Sequence, residues 1–250
     1  MQVMNTPTNL ADADYQPHDY PWSGALYAIH SLYSYNPVEK YDFQTELLTG
    51  IMGPDALTKQ TQTIIHKIID CQHPMGWGNQ YKNDLLLNLS FSAEKELVGY
   101  RNVAEVIGGS QLMAGTMTDE TNCYAIIRIG EMASYFNGII GQYASETKGS
   151  IKRKIRAYLF LKPGIEYVFR NSLLQGGMFT SLPVVVNTEA SDKPTKEQYP
   201  AIQNVVSYIS YGVTVGYDRF SFSYSETTNS PTMVGLYSHS VGNLSVCYGW

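Results

Sequence analysis

The chain has 250 residues, a formal net charge of −5 and a pI near 5.5, an acidic balance that excludes the basic face a nucleic-acid partner would need. Only 16% of residues are charged, against 20 tyrosines and 21 glycines, which suits a β protein that shows an apolar surface to something other than water. The length allows one β domain or two smaller ones. Cys71, Cys123 and Cys247 form no CxxC and no metal-ligand spacing. No run of about 18 apolar residues offers a transmembrane helix. Residues 1–17 lack the basic start, apolar core and cleavage site of a signal peptide, so export would need a segment upstream of Met1.

In chain order, Pro7, Pro17 and Pro21 among polar residues predict a loop over residues 1–21, after at most a short strand. Ala25, Tyr27, Ile29, Tyr33 and Tyr35 alternate in a strand that ends at Asn36-Pro37. Phe43, Leu47 and Ile51 mark a second strand. The period then changes. After Gly53-Pro54-Asp55, Ala56, Leu57, Ile64, Ile65, Ile68 and Ile69 fall at helical spacing, and Pro74 ends the pattern, which predicts one helix over 55–70. Gln62 and His66, four apart, lie along an edge of its apolar face.

Strands resume at Leu85, Leu87, Leu89 and Phe91, and again at Cys123, Ala125, Ile127 and Ile129. A long ladder runs from Ile155 to Phe169, and another from Val205 to Tyr217, which turns near Asp218 into Phe220, Phe222 and Tyr224. These later strands run near the roughly ten residues that a tilted membrane strand needs. Their opposite faces carry Ser, Thr, Gly and charged residues, as a polar lumen requires. The stretch 187–200 reads as a polar loop, and Leu244, Val246, Tyr248 and Trp250 alternate to a terminal aromatic, similar to the assembly signal of bacterial outer-membrane barrels. The reading is therefore all-β, an antiparallel transmembrane β-barrel with one helix. A soluble β-sandwich is the alternative, although its chain would not often end on such a residue.

Chemistry concentrates on the helix. Histidine can take up a proton near neutral pH, so His66 can serve as a general base for water or a hydroxyl. Gln62, one turn earlier, can orient the imidazole or donate to an oxyanion. The plainer possibility is that both cap a polar seam between helix and barrel. Asp19, Glu46, Asp84 and Glu94 are isolated carboxylates for which surface placement is expected. The chain has no nucleophile elbow, no HExxH and no phosphate-binding glycine loop.

The segments HDYPWSGALY (18–27), GIMGPDALTKQTQTIIHKII (50–69) and GWGNQYKNDLLLNLSF (76–91) together resemble the outer-membrane lipid A 3′-O-deacylase family, with weaker matches at Arg128-Ile129-Gly130 and LLQGGMF (173–179). The central block is similar to the family's Gly-x-x-Gly-Pro and Gln-x-x-x-His helix. The resemblance implies a twelve-stranded barrel in the bacterial outer membrane, of which this chain supplies about nine or ten strands as a single domain truncated at its N-terminus. It implies removal of the 3′-linked acyl chain of lipid A by water activated at His66, with Gln62 at the preceding polar position and with calcium as cofactor. It also implies lipopolysaccharide and outer-membrane lipids as partners, no nucleic acid, and a monomer. A non-catalytic barrel is the alternative. Two departures stand out. The family's Asn-Asp pair and Thr, on its first strands, are expected to have no counterpart, and the family's Glu six residues after the His is Gln72 here, the candidate metal position. Replacing a carboxylate by an amide removes a hard charged oxygen ligand for calcium.

Overall fold

The computed structural model describes residues 1–14, 16–101, 103–136, 155–180, 186–187, 195–196, 200–217 and 220–248. Ten strands form one antiparallel sheet in sequence order, each hydrogen-bonded to the next. They are β1 (Gln2–Asn5), β2 (Ser23–Asn36), β3 (Tyr41–Met52), β4 (Asp84–Tyr100), β5 (Ala104–Gly115), β6 (Thr118–Glu131), β7 (Ile155–Asn171), β10 (Val205–Tyr217), β11 (Phe220–Asn229) and β12 (His239–Tyr248). A two-residue ribbon, β8 (Val186–Asn187) with β9 (Thr195–Lys196), lies in the connection between β7 and β10. The polar loop expected over 187–200 falls mostly outside the described residues, as do Asp218 and Trp250.

The alternation that marks the strands also sets their orientation. In β4, Leu85, Leu87, Leu89 and Phe91 are exposed while Asp84, Leu86, Asn88 and Ser90 are buried. The same phase holds in β7, where Ile155, Leu159, Ile165, Tyr167 and Phe169 point outward. A sandwich in water would turn these rows inward. Here a broad apolar surface faces out and polar side chains face in, the inverse arrangement that suits hydrocarbon outside and a polar lumen inside. The soluble alternative is thereby set aside.

The lumen is satisfied by cross-strand polar pairs. Glu105 of β5 lies directly opposite Arg128 of β6, and the two form a buried ion pair. The Arg128 guanidinium stacks 4.2 Å from the Tyr158 ring centroid. Glu94 accepts a hydrogen bond from the Tyr124 hydroxyl at 2.6 Å, and Lys162 lies 3.8 Å from the centre of the same ring. Three of the four carboxylates expected at the surface lie elsewhere: Glu94 and Glu46 face the lumen, with Glu46 accepting from the buried Ser90 hydroxyl at 3.3 Å, and Asp84 is buried at the rim. Near the rim that carries the helix, Ala25, Tyr27, Leu48, Met52, Leu86 and Tyr81 close the interior with Leu173 of the short helix α2 (Ser172–Gln175).

β5 is the strand the residue pattern does not reveal. Ile107 points inward, fully buried against Ile126 and Phe136, and Gly108-Gly109 follow it, so apolar residues fall on both faces and the period disappears.

The helix is present but in two pieces. Gly53 takes φ +94°, and its backbone approaches Asn83 so closely that an added Cβ would lie 2.5 Å from the Asn83 nitrogen. Pro54–Ala56 then form a 3-10 turn, Leu57 takes the left-handed conformation at φ 58°, and α1 (Thr58–Ile68) begins only after that break. The break explains why the single helix expected over 55–70 starts three residues late: Asp55 belongs to the 3-10 turn.

Candidate functional site: the seam between helix and wall

The direction of α1 is the main difference from expectation. Its buried residues are polar, Thr58 and Gln62, whereas Leu57, Ile64, Ile65, Ile68 and Ile69 are exposed, Ile68 by 77%. A helix on a soluble core buries its apolar stripe. This one lays a polar row on the barrel and presents its apolar residues outward, in the same sense as the strands beside it.

Gln62 is held from within. Its Oε1 accepts a hydrogen bond of 2.7 Å from the indole Nε1 of Trp77, in a buried contact. Indole N–H only donates, so the amide oxygen must face it and the Gln62 Nε2 end is left as the donor end. Trp77 sits in a 3-10 turn (Gly76–Asn79) and packs its ring 5.0 Å from that of Trp22, which is fully buried just before β2. Two glycines make the packing possible: a Cβ at Gly76 would come 2.4 Å from the Trp22 Nε1, and one at Gly24 would come 2.2 Å from the Thr58 Oγ1. The Trp22 Nε1 and Thr58 Oγ1 are both buried with no hydrogen-bond partner among the described residues, so the seam holds an unused donor and an unused hydroxyl.

His66 lies one turn beyond Gln62 on the same row and is half-buried. Its Nδ1 is 2.6 Å from the main-chain carbonyl oxygen of Gln72. A carbonyl only accepts, so Nδ1 carries the hydrogen and the neutral ring keeps its lone pair on Nε2. The contact is made by the chain returning from α1: the Asp70 backbone is left-handed at φ 54°, and the Cys71 N–H bonds back to the His66 carbonyl at 2.9 Å. Gln72 therefore meets the histidine through its backbone, with its side chain exposed.

The structure brings Gln62, His66 and the Gln72 carbonyl together along one side of the seam. It adds Trp77, Trp22 and Thr58, which the residue pattern did not single out. β1 contributes as well. Its Gln2 amide donates to the Ala56 carbonyl at 2.6 Å, and Asn5 faces Ser23 of β2, with its Nδ2 3.4 Å from the serine hydroxyl. Asn5 thus lies beside Ser23 at the helix-bearing rim.

Calcium takes about six to eight oxygen ligands, with carboxylates supplying the charge. Beside His66 stands the neutral carbonyl oxygen of Gln72, and the Gln62 amide oxygen is turned to Trp77. Among the described residues no group of three His, Cys, Asp or Glu is placed to hold a metal ion. Gln72, the candidate metal position, brings only its main-chain carbonyl to His66. Among the described residues this donor set does not fit a calcium site.

Comparison with known proteins places this geometry. The model of the outer membrane protein LpxR family matches residues 1–250. Among solved structures, LpxR from Salmonella typhimurium superposes with a TM-score of 0.80 at 17% sequence identity, covering 100% of this chain and 81% of that one. No curated protein sequence matches the chain. The strand order, the outward apolar face and a family match over the whole chain agree: the chain is an outer-membrane β-barrel and belongs to the LpxR family.

Proposed function

We propose that this protein is a lipid A deacylase-type ester hydrolase, in which His66 activates water against the 3′-linked acyl ester. The observation that carries the reading is the tautomer imposed on His66: Nδ1–H is engaged by the Gln72 carbonyl, so Nε2 is the basic atom. In the reaction Nε2 takes a proton from water as the oxygen adds to the ester carbonyl. The tetrahedral oxyanion receives hydrogen bonds from polar donors of the seam, Gln62 Nε2 first among them, because Trp77 fixes that end of the amide as the donor. The intermediate then collapses with cleavage of the bond to the sugar oxygen. That alkoxide regains the proton held on Nε2, so a free fatty acid and a sugar hydroxyl are formed.

The placement supports a lipid substrate. His66, half-buried at the seam, lies beside apolar residues that face outward on both α1 and the strands, so an acyl ester lying in the membrane can approach it without crossing water. It also sits on the rim with the two longest connections, residues 53–83 and 172–204, beside one short turn at 116–117, while the opposite rim has the short turns 37–40 and 101–103 and one longer connection, 132–154. In outer-membrane barrels long loops belong to the outer side, where lipid A resides. No step is assigned to calcium, since the donors present do not suit it.

The test is hydrolysis of purified lipid A in water enriched in oxygen-18. Attack by water on the acyl carbon puts the label in the carboxyl group of the released fatty acid, and the rate is expected to be unchanged by a calcium chelator. Loss of the acyl chain from lipid A with no free fatty acid formed would replace hydrolysis by transfer to another acceptor. Loss of the rate on chelation would show that metal ligands come from elsewhere in the chain.

The second reading, a non-catalytic barrel, has one observation in its favour: Gln62 and His66 each already complete a hydrogen bond that holds the seam. That reading predicts no acyl release at all under these conditions.

A further inference from the structure

A groove of about 410 Å³ opens on the outer wall at the helix-bearing rim, lined by Ile51, Asp55, Asn83, Asp84, Leu85 and Phe179. Its floor is Ile51 and Leu85, which lie directly opposite each other on β3 and β4. Leu85 is 68% exposed on the apolar outer face, so the groove continues the lipid-facing wall.

Both flanks are built. On one side the segment after α2 brings in Phe179, which is 70% exposed. The Asp84 carboxylate fixes it, because Oδ2 accepts from the Phe179 N–H at 2.8 Å and from the Thr180 N–H at 3.2 Å. Gly177 makes this approach possible, since a Cβ there would come 2.0 Å from that same oxygen. On the other side the Asp55 N–H donates to the Asn83 Oδ1 at 3.0 Å, in the turn that Gly53 sets against Asn83. Two side chains and two glycines thus hold an apolar trough whose upper end carries an exposed carboxylate, Asp55.

We propose that this groove holds one hydrocarbon chain of an outer-membrane lipid, with the amide or hydroxyl group at the head of that chain donating to Asp55. An apolar trough open to the hydrocarbon layer selects an acyl chain by continuity with the wall. An acceptor at its mouth selects a lipid with N–H or O–H donors in its linkage region, and it disfavours a phosphate there through like-charge repulsion. Where the deacylase reading holds, the chain in the groove is one that the enzyme retains while another is cut at His66; that extension rests on the proposed function.

Photo-crosslinking tests the groove directly. A benzophenone amino acid is placed at position 85 or 179, with the exposed Val205 of β10, at the same rim but outside the groove, as control. After irradiation in outer membranes, adducts are identified by mass. Lipid A adducts, as a share of all lipid adducts, are expected to be several-fold enriched at 85 and 179 over 205. Equal shares at all three positions, or phospholipid adducts only, would overturn the proposal. In the purified protein Leu85→Trp, which fills the floor at an exposed site, raises KM for lipid A several-fold with kcat unchanged. Unchanged KM would also overturn it. Enriched lipid A adducts in a protein that releases no fatty acid would sustain the groove and sink the deacylase reading instead.

Discussion

His66→Ala lowers the rate of fatty-acid release from lipid A by about a hundredfold or more, the loss expected when a general base is removed. The substitution also removes the hydrogen bond from Nδ1 to the Gln72 carbonyl, so the return from α1 loses one of its ties. The chain there lies outside the sheet, and the barrel's own strand pairing does not pass through it. The folded barrel is therefore expected to survive, as judged by its heat-modifiable migration on a gel. A folded variant with a hundredfold lower kcat places the proton transfer at His66. A folded variant that works as well as the parent removes His66 from the chemistry and leaves it the role of a tie.

Arg128→Ala has the largest expected effect on stability. The guanidinium is buried between the Glu105 carboxylate opposite it and the Tyr158 ring. Truncating one partner of such a pair leaves the other charge buried without compensation, which costs roughly 3–5 kcal/mol. Replacing both partners by apolar residues of similar volume, Glu105→Leu with Arg128→Met, removes the stranded charge and recovers most of that loss. Urea unfolding of the barrel in lipid vesicles measures both variants. A loss below about 1 kcal/mol for Arg128→Ala, the size of an exposed pair, would mean that water already solvates Glu105.

What the residue pattern reveals and what it hides have one physical origin. In β4 and β7 the outward face is an unbroken apolar row against polar lumenal residues, so a period of two is plain in the text of the chain. β5 escapes because Ile107 serves an internal cluster instead of the outer face. The helix is legible from its spacing, but the side it buries is not. Periodicity finds the apolar stripe without saying whether water or hydrocarbon lies opposite, and in α1 the stripe of Ile64 and Ile68 faces out. The row Thr58, Gln62 and His66 is readable as four-residue spacing. Its partners are not, since Trp77 and the Gln72 carbonyl reach it through turns whose glycines and left-handed residues show only in the folded chain.

Gln72 meets the site through its main chain. A glutamine where the resembling family carries a carboxylate suggests a weakened metal site. In the structure the backbone of that residue orients the histidine, a task that any side chain at the position would permit. In the proposed mechanism, loss of the carboxylate is therefore compatible with a base at His66, because the Gln72 contact to Nδ1 is made by the backbone.

The central claim, that the seam under α1 cuts an acyl ester of lipid A through His66, is tested most directly by mass spectrometry of lipid A. The samples come from cells expressing the full-length protein or its His66→Ala variant at equal folded levels. The account predicts lipid A lighter by the 3′-linked acyl group in cells with the parent protein, and full-mass lipid A with the variant. Lipid A of unchanged mass in both, or equal loss of the acyl group in both, would contradict it.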